Sequence, residues 1–264
     1  MAQEPILCEL DQRGVARVTL NRPEIHNAFN DAVIAGLTER FQALEADDAV
    51  RAVVITGAGR SFSAGGDLNW MRGMADYSDA QNRADALRLA DLMHTLDGLA
   101  KPTVARVNGA AFGGGVGLVA CCDIAVAADS AVLCLSEVRI GLAPAVISPF
   151  VVRAMGARRA RRYFLTAERI SAADAVTIGL VHEVVPAAEL DNAVDGFIGL
   201  LLQGGPESIR EGKSLVNFVE GENDRAAWRE ETAARVARMR ASSEGQEGLS
   251  AFLEKRKPNW ISQR

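Results

Sequence analysis

The chain is poor in the residues that mark several common chemistries. It has only three histidines, and His26, His94 and His182 show neither an HExxH pattern nor metal-ligand spacing. Zinc catalysis therefore loses support, and no metal site is expected. It has four cysteines, Cys8, Cys121, Cys122 and Cys134, with no CxxC pair and two of them adjacent in an apolar run. These are expected to be reduced, mostly buried thiols of a cytoplasmic protein. Basic excess is missing: the formal charge is −5. No basic face is forced, and nucleic acid is not an expected partner. No apolar run is long enough to span a bilayer, so no membrane partner is expected either. The opening MAQEPILCEL lacks the basic n-region and apolar stretch of a signal peptide, which adds to the expectation of a cytoplasmic location.

Familiar glycine and serine motifs also fail on inspection. Gly57-Ala58-Gly59 follows a strand-like run, but the dinucleotide fingerprint needs glycine at position 62, which is Phe62. Glu211-Gly212-Lys213-Ser214 mimics the end of a P-loop, yet position 207 is Glu207 where glycine is required. Gly59-Arg60-Ser61-Phe62-Ser63 nearly matches a nucleophile elbow but ends in serine, with no helix directly after it. Hydride transfer, nucleotide hydrolysis and Ser-His-Asp chemistry lose support accordingly.

What is present is enough apolar residue, 48% of 264 positions, to bury a sizeable core. ILCEL and VARVTL around DQRG predict a hairpin over 6–20. Apolar spacing at Val33, Ile34, Leu37, Phe41 and Leu44 predicts a helix over 31–46. RAVVITG reads as a buried strand followed by a Gly/Ser loop over 57–66, and 79–98 reads as a long helix. TVARV, IAVAAD and AVLCL read as strands, with a glycine-led helix containing LVACC among them. This alternation predicts a parallel α/β core. Beyond about residue 148 only LVHEVV reads as a strand. Helices are expected over 148–165, 171–178, 187–203, 206–219 and 223–254.

Three segments carry candidate chemistry. Ser61 to Leu68 and Asn108 to Gly115 each run from a strand through glycines toward a helix. Both offer free backbone N–H groups at a helix start, where developing negative charge is favoured. Glycine lets backbone approach a ligand closely, and two such amides converging on one oxygen make an oxyanion hole. Leu135 to Leu142 places one carboxylate, Glu137, in an otherwise apolar stretch. Taken singly, each loop reads first as a tight turn, and Glu137 as a solvated residue or an ion-pair partner of Arg139; only the joint pattern, in this order and spacing, points to function.

The segments together resemble the crotonase superfamily of enoyl-CoA hydratases and isomerases over nearly the whole chain. The resemblance lies in LNRPEIHNAF (20–29), VVITGAGRSFSAGGDL (53–68), KPTVARVNGAAFGGGVGLVACCDIAVAAD (101–129), LSEVRIGLAP (135–144), LTAERISAADAVTIGLVHEVV (165–185) and EGLSAFLEKRKPNW (247–260). It implies an α/β fold with a crotonase-like ββα spiral core over 1–195 and a helical C-terminal trimerisation region over 196–264. It implies a homotrimer or a dimer of trimers that needs no cofactor, CoA being part of the acyl-CoA substrate.

Carried over by residue, the oxyanion amides are those of Gly66, where the family usually has alanine, and Gly114. Glu137 is the proton-transferring glutamate. Binding positions are His26, Ala28, Ala64, Asp67, Leu68 and Gly117, with Phe252 and Lys255 reaching the CoA of a neighbouring subunit. Asp67 reads as a helix cap or a substrate contact. Hydratases of the family commonly carry a second glutamate where this chain has Gly117. That glycine predicts open, uncharged space for a bulkier or carboxylated acyl chain or for a bound water, with Arg72 or Arg139 as counter-charge.

The segment running to APAVISPF is similar to members acting on 3-methylglutaconyl-CoA and related branched, carboxylated thioesters. The implied activity is hydration of such a 2-enoyl-CoA. The alternatives are a Δ3,Δ2-enoyl-CoA isomerase using one glutamate, and an inactive CoA-binding or RNA-binding relative.

Overall fold

Each local pattern resolves into an element for an identifiable reason. The computed structural model describes residues 4–261. The predicted hairpin is β1 (Ile6–Leu10) against β2 (Val15–Leu20), turning at Gly14 with φ 82°. Helix α1 (Asp31–Ala46) is started by Asn30, whose side chain accepts from Val33 N–H, and it buries the five apolar residues named from its spacing. β3 (Ala52–Gly57) is buried along its whole length, as a central parallel strand must be. β4 (Ser61–Ser63) and α2 (Leu68–Gly73) follow, and then α3 (Asp79–Asp97), whose start is fixed by a Ser78–Gln81 capping box.

The middle of the chain adds β5 (Thr103–Val107), β6 (Ala110–Phe112), α4 (Gly114–Cys121), β7 (Ile124–Ala128) and β8 (Val132–Cys134). The last third adds α5 (Ser148–Met155), α6 (Ala157–Thr166), β9 (Ile170–Ser171), α7 (Ala172–Ile178), β10 (Glu183–Val185), α8 (Leu190–Gln203), α9 (Pro206–Gly221), α10 (Arg225–Ala241) and α11 (Ser243–Leu253). Two long helices expected from the sequence are each divided. The 148–165 segment breaks at Gly156, which takes φ 79°, and the 223–254 segment breaks at Ser242, which is extended at φ −69°, ψ 156°. Ser242 then accepts from Gly245 N–H at 3.0 Å and starts α11.

Six strands form one sheet in the order β1-β2-β3-β5-β7-β10, and four short ones form a second in the order β4-β6-β8-β9. All pairings are parallel except β1–β2 and β8–β9. The buried core includes Phe41, Ile55, Phe62, Leu96, Leu118 and Leu133. This mixed α/β architecture with a helical C-terminal region agrees with the expected fold class.

The chain divides into two compact units. One holds both sheets and runs through Asp195, apart from 100–102; the other takes Ala100–Pro102 and the chain from Gly196. Within the second unit, Glu244 of α11 accepts from the Glu207 and Ser208 N–H groups at 2.9 and 2.7 Å, capping α9. Arg235 of α10 pairs with Glu211 at 2.9 Å. Among the described residues no helix is long and apolar enough to cross a membrane.

Candidate active site

The second sheet explains why three distant sequence segments meet. β4, β6 and β8 are adjacent and parallel, with Ser63 opposite Ala111 and Phe112 opposite Cys134. Their C-terminal ends therefore lie side by side. The Gly65-Gly66 loop leaves β4, the Gly113-Gly114 turn leaves β6, and Glu137 follows β8. The carboxyl ends of parallel strands are where α/β sheets place ligand sites.

Contacts confirm the closeness. A Cβ on Gly65 would lie 2.9 Å from Phe112 O, and one on Gly113 would lie 3.1 Å from Glu137 Oε1. Gly65 takes φ 84° and Gly113 φ 51°, so glycine serves both the backbone conformation and the close approach.

Hydrogen-bond accounting then identifies two spare donors. Phe29 N–H donates to Gly65 O and Asp67 N–H donates to Phe29 O, each at 2.7 Å. That pairing of Phe29 with Gly66 leaves the Gly66 N–H facing the other way. Gly114 opens α4, and its N–H is one of the helix's orphan donors. Neither amide has a hydrogen-bond partner among the described residues. Phe29 supports both loops, because its ring edge sits 2.8 Å from where a Gly114 Cβ would be.

Glu137 begins a short 3-10 turn, Glu137–Ile140, and is half-buried. Its Oε2 is inaccessible and has no hydrogen-bond partner. Burial raises its pKa above the ordinary glutamate value, opposed only by a bond from its own backbone N–H. No ion pair with Arg139 forms among the described residues.

The remaining expected positions fall into three groups. Asp67 caps α2 by accepting from Asn69 N–H at 2.8 Å and pairs with Arg22 at 2.9 Å. Burial acts to raise its pKa, but those bonds outweigh it and hold the carboxyl low. Of the two roles expected for Asp67, the cap is the one occupied. His26 O accepts from Ala64 N–H at 2.9 Å, and Ala28 O accepts from Arg22 at 2.9 Å. The first bond ties the 22–29 loop to the β4 loop, and the second braces the 22–29 loop internally. Because a guanidinium only donates, Arg60 at 3.2 Å makes His26 Nε2 the acceptor, and Nδ1–H donates to Ser61 Oγ at 2.9 Å. Leu68 is exposed at the start of α2. Phe252 and Lys255 belong to the second unit. Phe252 is 80% exposed near the end of α11, and Lys255 just beyond it takes φ 56°.

Gly117 overturns an expectation. The space beside it is filled, not open. A Cβ there would lie 2.3 Å from Ile147 Cγ2 and 3.1 Å from Met93 Cε. Ile147 is 2% exposed and part of the core. The glycine is there because isoleucine occupies the volume its side chain would need.

Other residues were missed by sequence reasoning. Asn27, at φ 57° and fully buried, donates to Ala58 O and Ser61 O at 2.9 and 2.8 Å and accepts from Arg22 N–H at 2.9 Å. Its signal was the polar residue after His26 in a turn, where Asn tolerates positive φ. Trp70, whose ring lies 3.9 Å from a Gly66 Cβ position, gave no signal beyond a bulky aromatic in a helix start.

The arrangement is two unpaired amides beside one desolvated carboxylate, which suits stabilising an oxyanion while moving a proton. Similarity to known proteins follows the same line. The family model described as enoyl-CoA hydratase/isomerase matches residues 11–263. The chain is 34% identical over 265 residues to a crotonyl-CoA hydratase of Syntrophomonas wolfei, covering 99% of this chain and 100% of that protein. The crystal structure of an enoyl-CoA hydratase from Shewanella pealeana aligns with TM-score 0.93 at 44% identity, covering 97% of this chain and 96% of that one. Pseudomonas aeruginosa AtuE aligns with TM-score 0.94 at 35% identity, covering 98% of this chain and 100% of that one.

Proposed function

The chain belongs to the enoyl-CoA hydratase/isomerase family, and from that membership we propose that it adds water across the double bond of a 2-enoyl-CoA thioester. The observation that carries this reading is the buried, unbonded Oε2 of Glu137 beside the Gly113-Gly114 turn. The acyl carbonyl would accept hydrogen bonds from Gly66 and Gly114. Glu137 as carboxylate takes a proton from water while the water oxygen bonds to Cβ. The π electrons then move onto the thioester oxygen, where the two amides hold the charge. Glu137, now protonated, returns a proton to Cα, and the enolate collapses. Losing one such amide typically costs about 3–4 kcal/mol of barrier.

The finer substrate reading is a branched or distally carboxylated chain such as 3-methylglutaconyl-CoA. Its support is the resemblance of 136–150, since open space at Gly117 no longer argues for it. Assembly as a trimer or dimer of trimers belongs to the same reading, with exposed apolar side chains on α11 as support.

One observation favours isomerisation instead. Ile147 and Met93 fill the surroundings of Gly117, and the Asp123 carboxylate accepts from Thr103 N–H and Oγ1–H at 2.7 and 2.9 Å. Glu137 is left as the one carboxylate of these segments free for proton transfer, and one suffices to shuttle a proton between Cα and Cγ. Reaction in ¹⁸O-water decides between the two. Hydration places label on Cβ. Label-free product from a 3-enoyl-CoA, with no hydration of any 2-enoyl-CoA, overturns the hydratase reading.

A further inference from the structure

Among the described residues, the buried side-chain polar atoms without a hydrogen-bond partner are Glu137 Oε2 and Trp70 Nε1. Both residues border the glycine loops: Glu137 Oε1 lies 3.1 Å from a Gly113 Cβ position, and the six-membered ring of Trp70, at Cζ3, lies 3.9 Å from a Gly66 Cβ position. The chemistry above uses the glutamate and leaves the indole idle. An indole N–H can only donate, and keeping one buried without an acceptor is costly. Phenylalanine would fill the same apolar space without that cost. The other two tryptophans follow the usual rule: Trp228 Nε1–H donates to Glu222 O and Trp260 Nε1–H to Gln203 O, each at 3.1 Å. Among the described residues, Trp70 is the tryptophan whose N–H has no such partner.

The ring is held in place. Trp70 packs against the hydrophobic core, and its short helix is fixed at the start by Asp67, itself tied to Arg22. Arg72, exposed on the same helix, bonds to Asn69 at 2.7 Å. Its charge favours an anion nearby. We infer that Trp70 is a specificity-determining residue whose indole N–H donates to a carboxylate carried at the far end of the substrate's acyl chain. This rests on the acyl-thioester reading and supplies the contact that would select a carboxylated chain.

Saturated thioesters test it without turnover, so hydratase and isomerase are treated alike. Glutaryl-CoA and butyryl-CoA are titrated into ¹⁵N-labelled full-length protein, following the three indole N–H resonances, with Kd from calorimetry. The Trp70 resonance is assigned from Trp70→Phe, or by elimination from Trp228→Phe and Trp260→Phe if that variant does not fold. The expected result is a downfield shift of the Trp70 resonance with glutaryl-CoA and none with butyryl-CoA. Wild-type protein should prefer glutaryl-CoA by about 10- to 100-fold, the usual range for a hydrogen bond to a charged group. In Trp70→Phe that preference should fall to within about 3-fold, near the scatter of additive effects. Equal binding of both thioesters with a still indole, or an undiminished preference in Trp70→Phe, overturns the inference and leaves the acyl-CoA reading intact. Failure of both thioesters to bind overturns the acyl-CoA reading, and this inference with it.

Discussion

At Glu137 one side chain links stability to chemistry. Its Oε2 is buried and unbonded, and burial lifts its pKa above the ordinary glutamate value. Where the folded pKa exceeds the unfolded one, the stabilising contribution is complete below the ordinary carboxylate range. It is lost as pH rises through the raised native value. The amide introduced by Glu137→Gln does not titrate. The melting-temperature difference between that variant and wild type should therefore move in the variant's favour from pH 4 to pH 8. The same variant should lose about 10²–10⁴ in kcat, the usual contribution of a positioned acid or base. A flat difference across pH, or near wild-type turnover, would remove Glu137 from this role. Gly117 teaches the opposite lesson about single residues. The sequence showed a missing carboxylate there but not the side chain filling its volume, because Ile147 lies 30 positions away and in a different helix approach. Gly117→Ala should destabilise by about 1–3 kcal/mol through overpacking. Combining it with Ile147→Ala, which removes the opposing Cγ2, should cost less than the sum of the two single changes. Additive losses by thermal unfolding would mean the two positions do not compete for one space.

At the scale of elements, the sequence was legible where periodicity runs long and opaque where elements are short. The hairpin, α1, β3 and α3 were read because each carries a cap, a turn or an unbroken apolar pattern. β4, β6 and β9 span three, three and two residues, too few for alternation to register. Without them the second sheet is invisible, and so is the reason the Gly65-Gly66 loop, the Gly113-Gly114 turn and Glu137 share an edge. The helix breaks at Gly156 and Ser242 escaped notice because the residues on both sides suit a helix. The β4 loop offers a sharp test of this geometry, because adjacent glycines there have different reasons to be glycine. Gly65 takes φ 84°, and its Cβ would press on Phe112 O at 2.9 Å. A Gly66 Cβ would meet the movable Met71 side chain, Sδ at 3.3 Å and Cγ at 3.5 Å, and the Trp70 ring edge at an ordinary 3.9 Å. Gly65→Ala should lower both melting temperature and kcat, at a strain cost of about 1–3 kcal/mol. Gly66→Ala keeps its N–H and should stay within about threefold of wild-type kcat/KM, an upper bound near 0.7 kcal/mol. Equal sensitivity of the two positions would contradict the assignment of the free amide to Gly66.

At the scale of the molecule, the long motifs made the family legible from end to end, and the match over residues 11–263 agrees. What no motif conveys is which surfaces the isolated chain leaves uncovered. Leu249, Phe252 and Leu253 on α11 are 51, 80 and 77% exposed. They follow i, i+3, i+4 spacing and so share one helix face. A face of large exposed apolar side chains marks an interaction surface, and the proposed assembly would close copies of this chain around it by symmetry. On the assembly proposed above, light scattering should give a mass corresponding to a trimer or a dimer of trimers at micromolar concentration. Replacing Phe252 and Leu253 together with aspartate should reduce that mass to the single chain, because burying two unpaired carboxylates in an apolar interface costs more than the contact returns. Circular dichroism should be unchanged, since both side chains point away from their own unit's interior. If subunits complete each other's CoA sites through Phe252 and Lys255, the same variant should raise KM for an enoyl-CoA far more than it lowers kcat. A monomeric wild type, or a double variant that keeps both its mass and its KM, would exclude α11 from the assembly.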